Sequence, residues 1–171
     1  LTGETLLLTE TAAGTSNLII NVATGTTVNF SNMTASTFTS GSDIITINAT
    51  GTTNVTAPNL ATTINGGSGG DTLIGGTADD IINGFNGVDT IDGGDGADTL
   101  SIAQAIASAT ILGGVSNIET ITLTSSATIT LAADISATTF NFVDTDDQVL
   151  VLDQGYTNAT TVVLATYLGG D

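Results

Sequence analysis

Hydrophobic positions in this chain come in short runs, often two residues apart, with Thr, Asn, Gly and Ser between them. That pattern suits a strand with one buried face. Successive strand side chains point to opposite sides, and β-branched residues pack better on a pleated surface than in a helix. It predicts strands over residues 4–9, 17–22, 26–30 and 43–48, and later over 116–131, 138–143, 148–153 and 160–165. Alternation is plain at Val28 and Phe30 and again at Ile129 and Leu131. The apolar centres fall near positions 20, 45, 64, 82, 100, 121, 141 and 163, a beat of about 18 to 25 residues. A right-handed parallel β-solenoid would produce that beat. With rungs about 4.8 Å apart, roughly eight turns would make a rod about 40 Å long. The other arrangement is a short roll flanked by pieces of β-sandwich. Two stretches look alike, INVATGTT at 20–27 and INATGTT at 47–53, and ITLTSSATITL at 121–131 keeps the same strand–turn–strand layout. Each ATG reads equally as a hairpin turn or as a bend between two faces of a solenoid.

Residues 66–101 carry the most regular pattern: GGSGGDTLI, GGTADDIIN, GFNGVDTID and GGDGADTLS, four nine-residue units in one register. Each begins with Gly (Gly66, Gly75, Gly84, Gly93), has Asp sixth (Asp71, Asp80, Asp89, Asp98) and an aliphatic residue eighth (Leu73, Ile82, Ile91, Leu100). Glycines early in the unit permit turns with positive φ and let carbonyls approach closely. The sixth-position Asp places a hard oxygen on the loop. The eighth residue supplies a thin apolar ladder, too small to hold stacked carboxylates together against their repulsion. No EF-hand loop is present, since no Asp-rich run with its central Gly ends in the required Glu.

Composition narrows the chemistry further. The chain has no Lys, Arg, His, Cys or Trp and a formal net charge of −17. Nothing can neutralise phosphates, which excludes nucleic acid as a partner, and anionic membrane surfaces are disfavoured for the same reason. A Walker loop lacks its Lys, a zinc site its His and Cys, and a Ser–His or Cys–His nucleophile cannot be assembled. Mean hydropathy is +0.37, yet no apolar run approaches the ~18 residues that span a bilayer, so no direct membrane insertion is expected. There is no basic N-terminal region of a signal peptide, and a chain opening at Leu1 is expected to be an excised or processed piece. With no low-complexity linker, residues 1–171 are expected to form one domain: Thr/Asn-rich strands over 1–65, the repeats over 66–101 and further strands over 102–171. Residues 102–109 (IAQAIASA) could add one helical turn or a bend.

The four units closely resemble the GGxGxDxUx nonapeptide of RTX (repeats-in-toxin) proteins. The resemblance implies a calcium-binding β-roll in which residues one to six of a unit form a loop, seven to nine a strand, and two units a turn. Unit one then stacks on unit three and unit two on unit four, so Leu73 meets Ile91 and Ile82 meets Leu100. It also implies two Ca²⁺ sites, one pairing Asp71 with Asp89 and the other Asp80 with Asp98. Backbone carbonyls of Gly67, Gly69, Gly84 and Asn86 would complete the first shell, and those of Gly76, Ala78, Gly93 and Asp95 the second. Ca²⁺ suits such a set because it takes six to eight oxygens at about 2.3–2.6 Å in flexible geometry, whereas Mg²⁺ demands a tight octahedron and keeps its waters. Ala78 and Phe85 depart from the pattern, where local distortion is expected. Asp79, Asp92 and Asp95 are surplus carboxylates. Asp43 in GSDIITI resembles a lone degenerate unit, and Asp144, Asp146 and Asp147 form a carboxylate cluster; both are expected in solvated loops rather than at calcium sites.

For function, the composition and the repeats resemble those of bacterial RTX-type S-layer proteins. The expectation is a structural, self-assembling calcium-binding protein of the extracellular space or cell surface, exported by a type I system. Its expected partners are further copies of itself, in a lattice or filament, and a cell-surface glycan. The alternative is a calcium-stiffened module of a secreted RTX adhesin. A β-helix glycosidase needs only two carboxylates, but 4% aromatic residues and no cationic group offer a sugar little to bind, so no enzyme is expected.

Overall fold

A computed structural model describes residues 7–8, 15–35, 42–103, 110–124, 128–131, 135–143, 149–152 and 161–164. Every paired strand among them is parallel to its neighbours, and there is no helix among the described residues. A long sheet stacks eight strands: Asn17–Val22, Ile44–Ala49, Thr62–Asn65, Ile81–Asn83, Thr99–Ile102, Thr120–Leu123, Thr139–Phe142 and Thr161–Leu164. A short sheet stacks five: Thr27–Asn29, Asn54–Thr56, Thr72–Ile74, Thr90–Asp92 and Val115–Ser116. Three strands, Thr110–Ile111, Thr128–Leu131 and Val149–Leu152, form a further sheet, and Leu7–Leu8 pairs with Thr34–Ala35.

Along residues 44–102 the chain alternates between the long and short sheets, as a β-solenoid does. The apolar beat of the sequence is the stacking of the long sheet: Ile47, Ile64, Ile82, Leu100, Ile121 and Phe140 lie in register, and all are buried. The short sheet contributes Val55, Leu73, Ile91 and Val115 in register, also buried. The two rows belong to one core. Leu73 thus sits beside Ile91, and Ile82 beside Leu100, as the two-units-per-turn arrangement requires.

The ATG segments are corners, not hairpins. Asn17–Val22 and Thr27–Asn29 belong to different sheets, and Thr50 N donates to Val22 O at 3.0 Å, so one corner stacks on the next. On the face of the long sheet away from the core, Asn21, Asn48, Asn65 and Asn83 form a ladder. The Nδ2 of Asn48, Asn65 and Asn83 each donates to the Oδ1 of the preceding Asn, at 3.1, 2.8 and 2.8 Å. Parallel stacking in register makes such a ladder available wherever one residue type recurs at one position.

Two expectations are corrected. Asp43 is buried rather than solvated: its Oδ1 accepts the Ser16 N–H at 2.8 Å, at the point where Ile44–Ala49 begins to pair with Asn17–Val22. Phe85 does more than distort a loop: its ring is buried in the core, taking apolar contact where the repeat pattern has a glycine. Residues 104–109, Ser125 and Ser126, and the cluster at 144–147 lie outside the described residues, as does most of the 4–9 stretch.

Candidate metal centre

Each repeat turns a corner between the two sheets, and its sixth residue precedes the strand. The strand's hydrophobic residue must point inward, and the Asp two places earlier shares that parity. All four carboxylates therefore enter the corner instead of solvent: Asp71, Asp80, Asp89 and Asp98 are buried. Stacking sorts them into two columns, Asp71 with Asp89 and Asp80 with Asp98, on successive rungs.

Within a column every Asp reaches back to the rung before it. Asp89 Oδ1 accepts the Asp71 N–H at 2.8 Å, and Asp71 Oδ1 accepts the Thr53 N–H at 2.7 Å and the Thr53 hydroxyl at 3.1 Å. In the other column Asp98 Oδ1 accepts the Asp80 N–H at 2.7 Å, and Asp80 Oδ1 accepts the Thr62 N–H at 2.8 Å. The second oxygen of Asp71, Asp80 and Asp89 is met by an amide of its own loop: Gly67 N, Gly76 N and Asn86 N, at 3.1, 2.7 and 2.9 Å. Asp98 Oδ2 is buried and has no hydrogen-bond partner.

The carbonyls expected to complete the shells occupy the same loops. Gly76 O accepts the Asp95 N–H at 3.1 Å, and Gly69 O accepts from Asn86 Nδ2, so these two carbonyls already tie one rung to the next. Gly93 O lies close beside Asp80. A Cβ placed on Gly75 would sit 2.0 Å from Gly93 O and 2.6 Å from Asp80 Oδ2, so only glycine leaves that space open. Around Gly84 the crowding comes instead from Gly66 O, 2.5 Å from a Cβ built there. Ala78 O lies 2.8 Å from the corresponding point on Gly96. Asp95 is exposed, and Gly67 enters the site through its N–H to Asp71. Of the surplus acids, Asp79 accepts the Ala97 N–H at 2.8 Å, and Asp92 accepts from Gly94 N and Asn117 Nδ2 at 3.2 and 2.7 Å.

The electrostatics call for a cation. Burial pushes Asp80 up to about 6 and Asp98 up to about 7, and it raises Asp89 as well. Amide donors pull the other way at each site, and neighbouring carboxylates add to the rise: Asp79 at Asp80, Asp71 at Asp89, and Asp80, Glu119 and Asp79 at Asp98. No Lys, Arg or His exists in the chain to answer this buried charge. Among the described residues no three acidic side chains converge on one point, so any ion here must take carboxylates in pairs together with carbonyls. That donor set, all oxygen, with a glycine-lined space between carboxylate and carbonyl, fits Ca²⁺.

A family model for the RTX calcium-binding nonapeptide repeat matches residues 65–100 in four copies. The segment is an array of RTX repeats. Its register is one residue earlier than the 66–101 reading, with the same four Asp positions inside it. RTX repeats of this kind bind Ca²⁺. They are typical of secreted extracellular proteins exported by type I systems. Nothing among curated proteins or solved structures matches the chain.

Glu119 was invisible to the repeat pattern. It occupies the rung after Asp98, and Asp98 N donates to its Oε2 at 2.8 Å, as Asp80 N does to Asp98. The signal would have been the acid–Thr–aliphatic run shared by Asp98–Thr99–Leu100 and Glu119–Thr120–Ile121.

Proposed function

We propose that this chain is a structural, non-catalytic, self-assembling calcium-binding protein of the extracellular space, a segment of a bacterial S-layer or a similar surface assembly. One observation carries the reading: the buried carboxylate columns lie inside a parallel sheet that continues on both sides of them. Ions held there clasp successive rungs of a rod. In this reading one Ca²⁺ is shared by Asp71 and Asp89 and another by Asp80 and Asp98, with loop carbonyls of the two rungs filling each shell. The chain folds as one unit over residues 1–171 with the repeats at its middle.

Type I export suits a chain of this charge. At −17 with no cationic side chain, the ion-free polypeptide repels itself, and it compacts when calcium outside the cell neutralises the columns. Its partner is a second copy of itself, packed into a lattice or filament, with a cell-surface glycan as the anchoring ligand. Purified chain in millimolar Ca²⁺ is expected to form sheets or filaments by light scattering and electron microscopy, and a chelator is expected to dissolve them. Particles that stay monomeric across the titration would replace the lattice with a calcium-stiffened spacer of an adhesin.

A further inference from the structure

At the end of the Asp80–Asp98 column the acid ladder continues past the matched repeats. Asp98 N donates to Glu119 Oε2 at 2.8 Å, and Glu119 N and Thr120 N donate back to Asp98 O at 3.1 and 3.0 Å. Glu119 therefore occupies the place of a next sixth-position Asp, though residues 116–119 hold no nonapeptide. Its extra methylene reaches the amide that an Asp reaches in the rungs before.

The carbonyl partner is replaced as well. On the preceding rung, the space in front of Gly75 is flanked by Gly93 O and Asp80 Oδ2, at 2.0 and 2.6 Å from a Cβ built there. In front of Gly93 the same space is flanked by Asn117 O and Asp98 Oδ2, at 1.9 and 2.6 Å. Asn117 is the one described non-glycine residue with positive φ, at 50°. Asn tolerates that left-handed geometry better than most side chains. The backbone is thus held where its carbonyl stands in for that of the missing glycine.

One difference separates this space from the others. The second oxygen of Asp71, Asp80 and Asp89 is met by a loop amide, but Asp98 Oδ2 is fully buried with no donor at all. The matching amide, Gly94 N, is taken by Asp92 Oδ1 instead. A buried carboxylate oxygen facing a carbonyl oxygen, with no N–H between them, is costly unless a cation sits there.

We propose that Asp98 Oδ2, the Asn117 carbonyl and the Glu119 carboxylate form a further calcium site, one rung beyond the RTX repeats. It shares Asp98 with the Asp80–Asp98 pair and so rests on calcium binding by that column. It makes Glu119 the closing ligand of the array.

Counting ions per chain by equilibrium dialysis against Ca²⁺ with elemental mass spectrometry tests this directly. Glu119→Gln keeps the acceptor for Asp98 N but removes the charge, and it is expected to bind one Ca²⁺ fewer than the unmodified chain while keeping its circular dichroism. An equal ion count in the two folded proteins would overturn the proposal. Asp71→Asn, in the other column, is the control: unchanged stoichiometry there would break the Asp71–Asp89 pairing and leave the Glu119 result standing. Should Glu119→Gln fail to fold, anomalous-difference density in crystals of the unmodified chain decides. A peak bonded to Asp98 Oδ2 and Asn117 O supports the site, and peaks confined to the repeats overturn it.

Discussion

In residues 44–65 the corners of the solenoid are closed by hydroxyls and backbone. Thr50 Oγ1 donates to Val22 O at 3.1 Å and Thr62 Oγ1 to Leu60 O at 2.6 Å. In residues 66–101 the corresponding corners are closed by buried carboxylates stacked on one another. Both regions belong to the same long sheet and share the same inward aliphatic row. What differs is the charge sealed into the corner. Thr53 and Thr62 head the two acid columns as neutral residues, each giving its N–H to the first Asp. Rung stacking is common to both regions, whereas corner chemistry decides whether a rung depends on an ion. Neutral corners have no charge to answer; acid corners leave theirs unanswered, and at Asp98 Oδ2 a hydrogen bond as well.

Chelation should expose that difference most strongly. An ion held at a hundredfold excess over its Kd stabilises the folded state by about 2.7 kcal/mol per site. Removing calcium is expected to speed amide hydrogen exchange about 100-fold or more in Thr72–Ile74, Ile81–Asn83 and Thr90–Asp92, with a smaller change in Ile44–Ala49 and Asn54–Thr56. Uniform loss of protection would mean that the flanks have no stability of their own and that the two regions are one cooperative unit.

Proton competition gives the next largest effect. Asp80 and Asp98 carry folded pKa values of about 6 and about 7, above the ~3.9 of an unfolded Asp. The ion-free fold therefore binds protons more tightly than the unfolded chain. Its stability is greatest with these groups protonated and falls as pH rises from about 4 toward 7. Calcium affinity runs the other way, because the ion must displace those protons, and should climb through pH 6–7. Calcium titrations followed by circular dichroism at pH 5, 6, 7 and 8 would read both trends. In Asp80→Asn the first trend should flatten, and a profile as steep as that of the unmodified chain would locate the titration elsewhere.

The smallest effect belongs to the face both regions share. Asn65→Ala removes two ladder bonds, to Asn48 and from Asn83. The expected loss is about 1–2 kcal/mol, since these side chains are only partly buried. It should lower the urea midpoint in saturating calcium without changing the number of bound ions. A drop in ion count would show that the Asn ladder sets the spacing of the acid columns.

Much of this molecule was legible in advance. The 18-residue spacing through Ile64, Ile82 and Leu100 gave the rung repeat, because a parallel solenoid must return the same face at each turn. The sixth-position Asp residues marked the corners. Asp43 was misjudged since its hydrogen-bond donor is Ser16 N, 27 residues away, which its polar neighbours in the sequence do not reveal. Phe85 read as a defect in a glycine pattern, and its place in the core depends on the buried residues of other rungs that pack there. Glu119 lay outside the period altogether, because it follows Asp98 by 21 residues where each Asp in the repeats follows its partner by 18.

By itself, then, the sequence determined an all-β stacked fold and an oxygen-only chemistry, and its resemblance to RTX repeats implied the two-unit turn and calcium. The first two follow from periodicity and from which side chains exist, and neither depends on distant contacts. The tertiary structure alone decided that the ATG segments are corners, that the carboxylates chain amide to amide through each column, and that one column runs on to Glu119. Each of these joins residues about 18 to 28 positions apart, and only the closing of the solenoid turn brings such residues within hydrogen-bond reach.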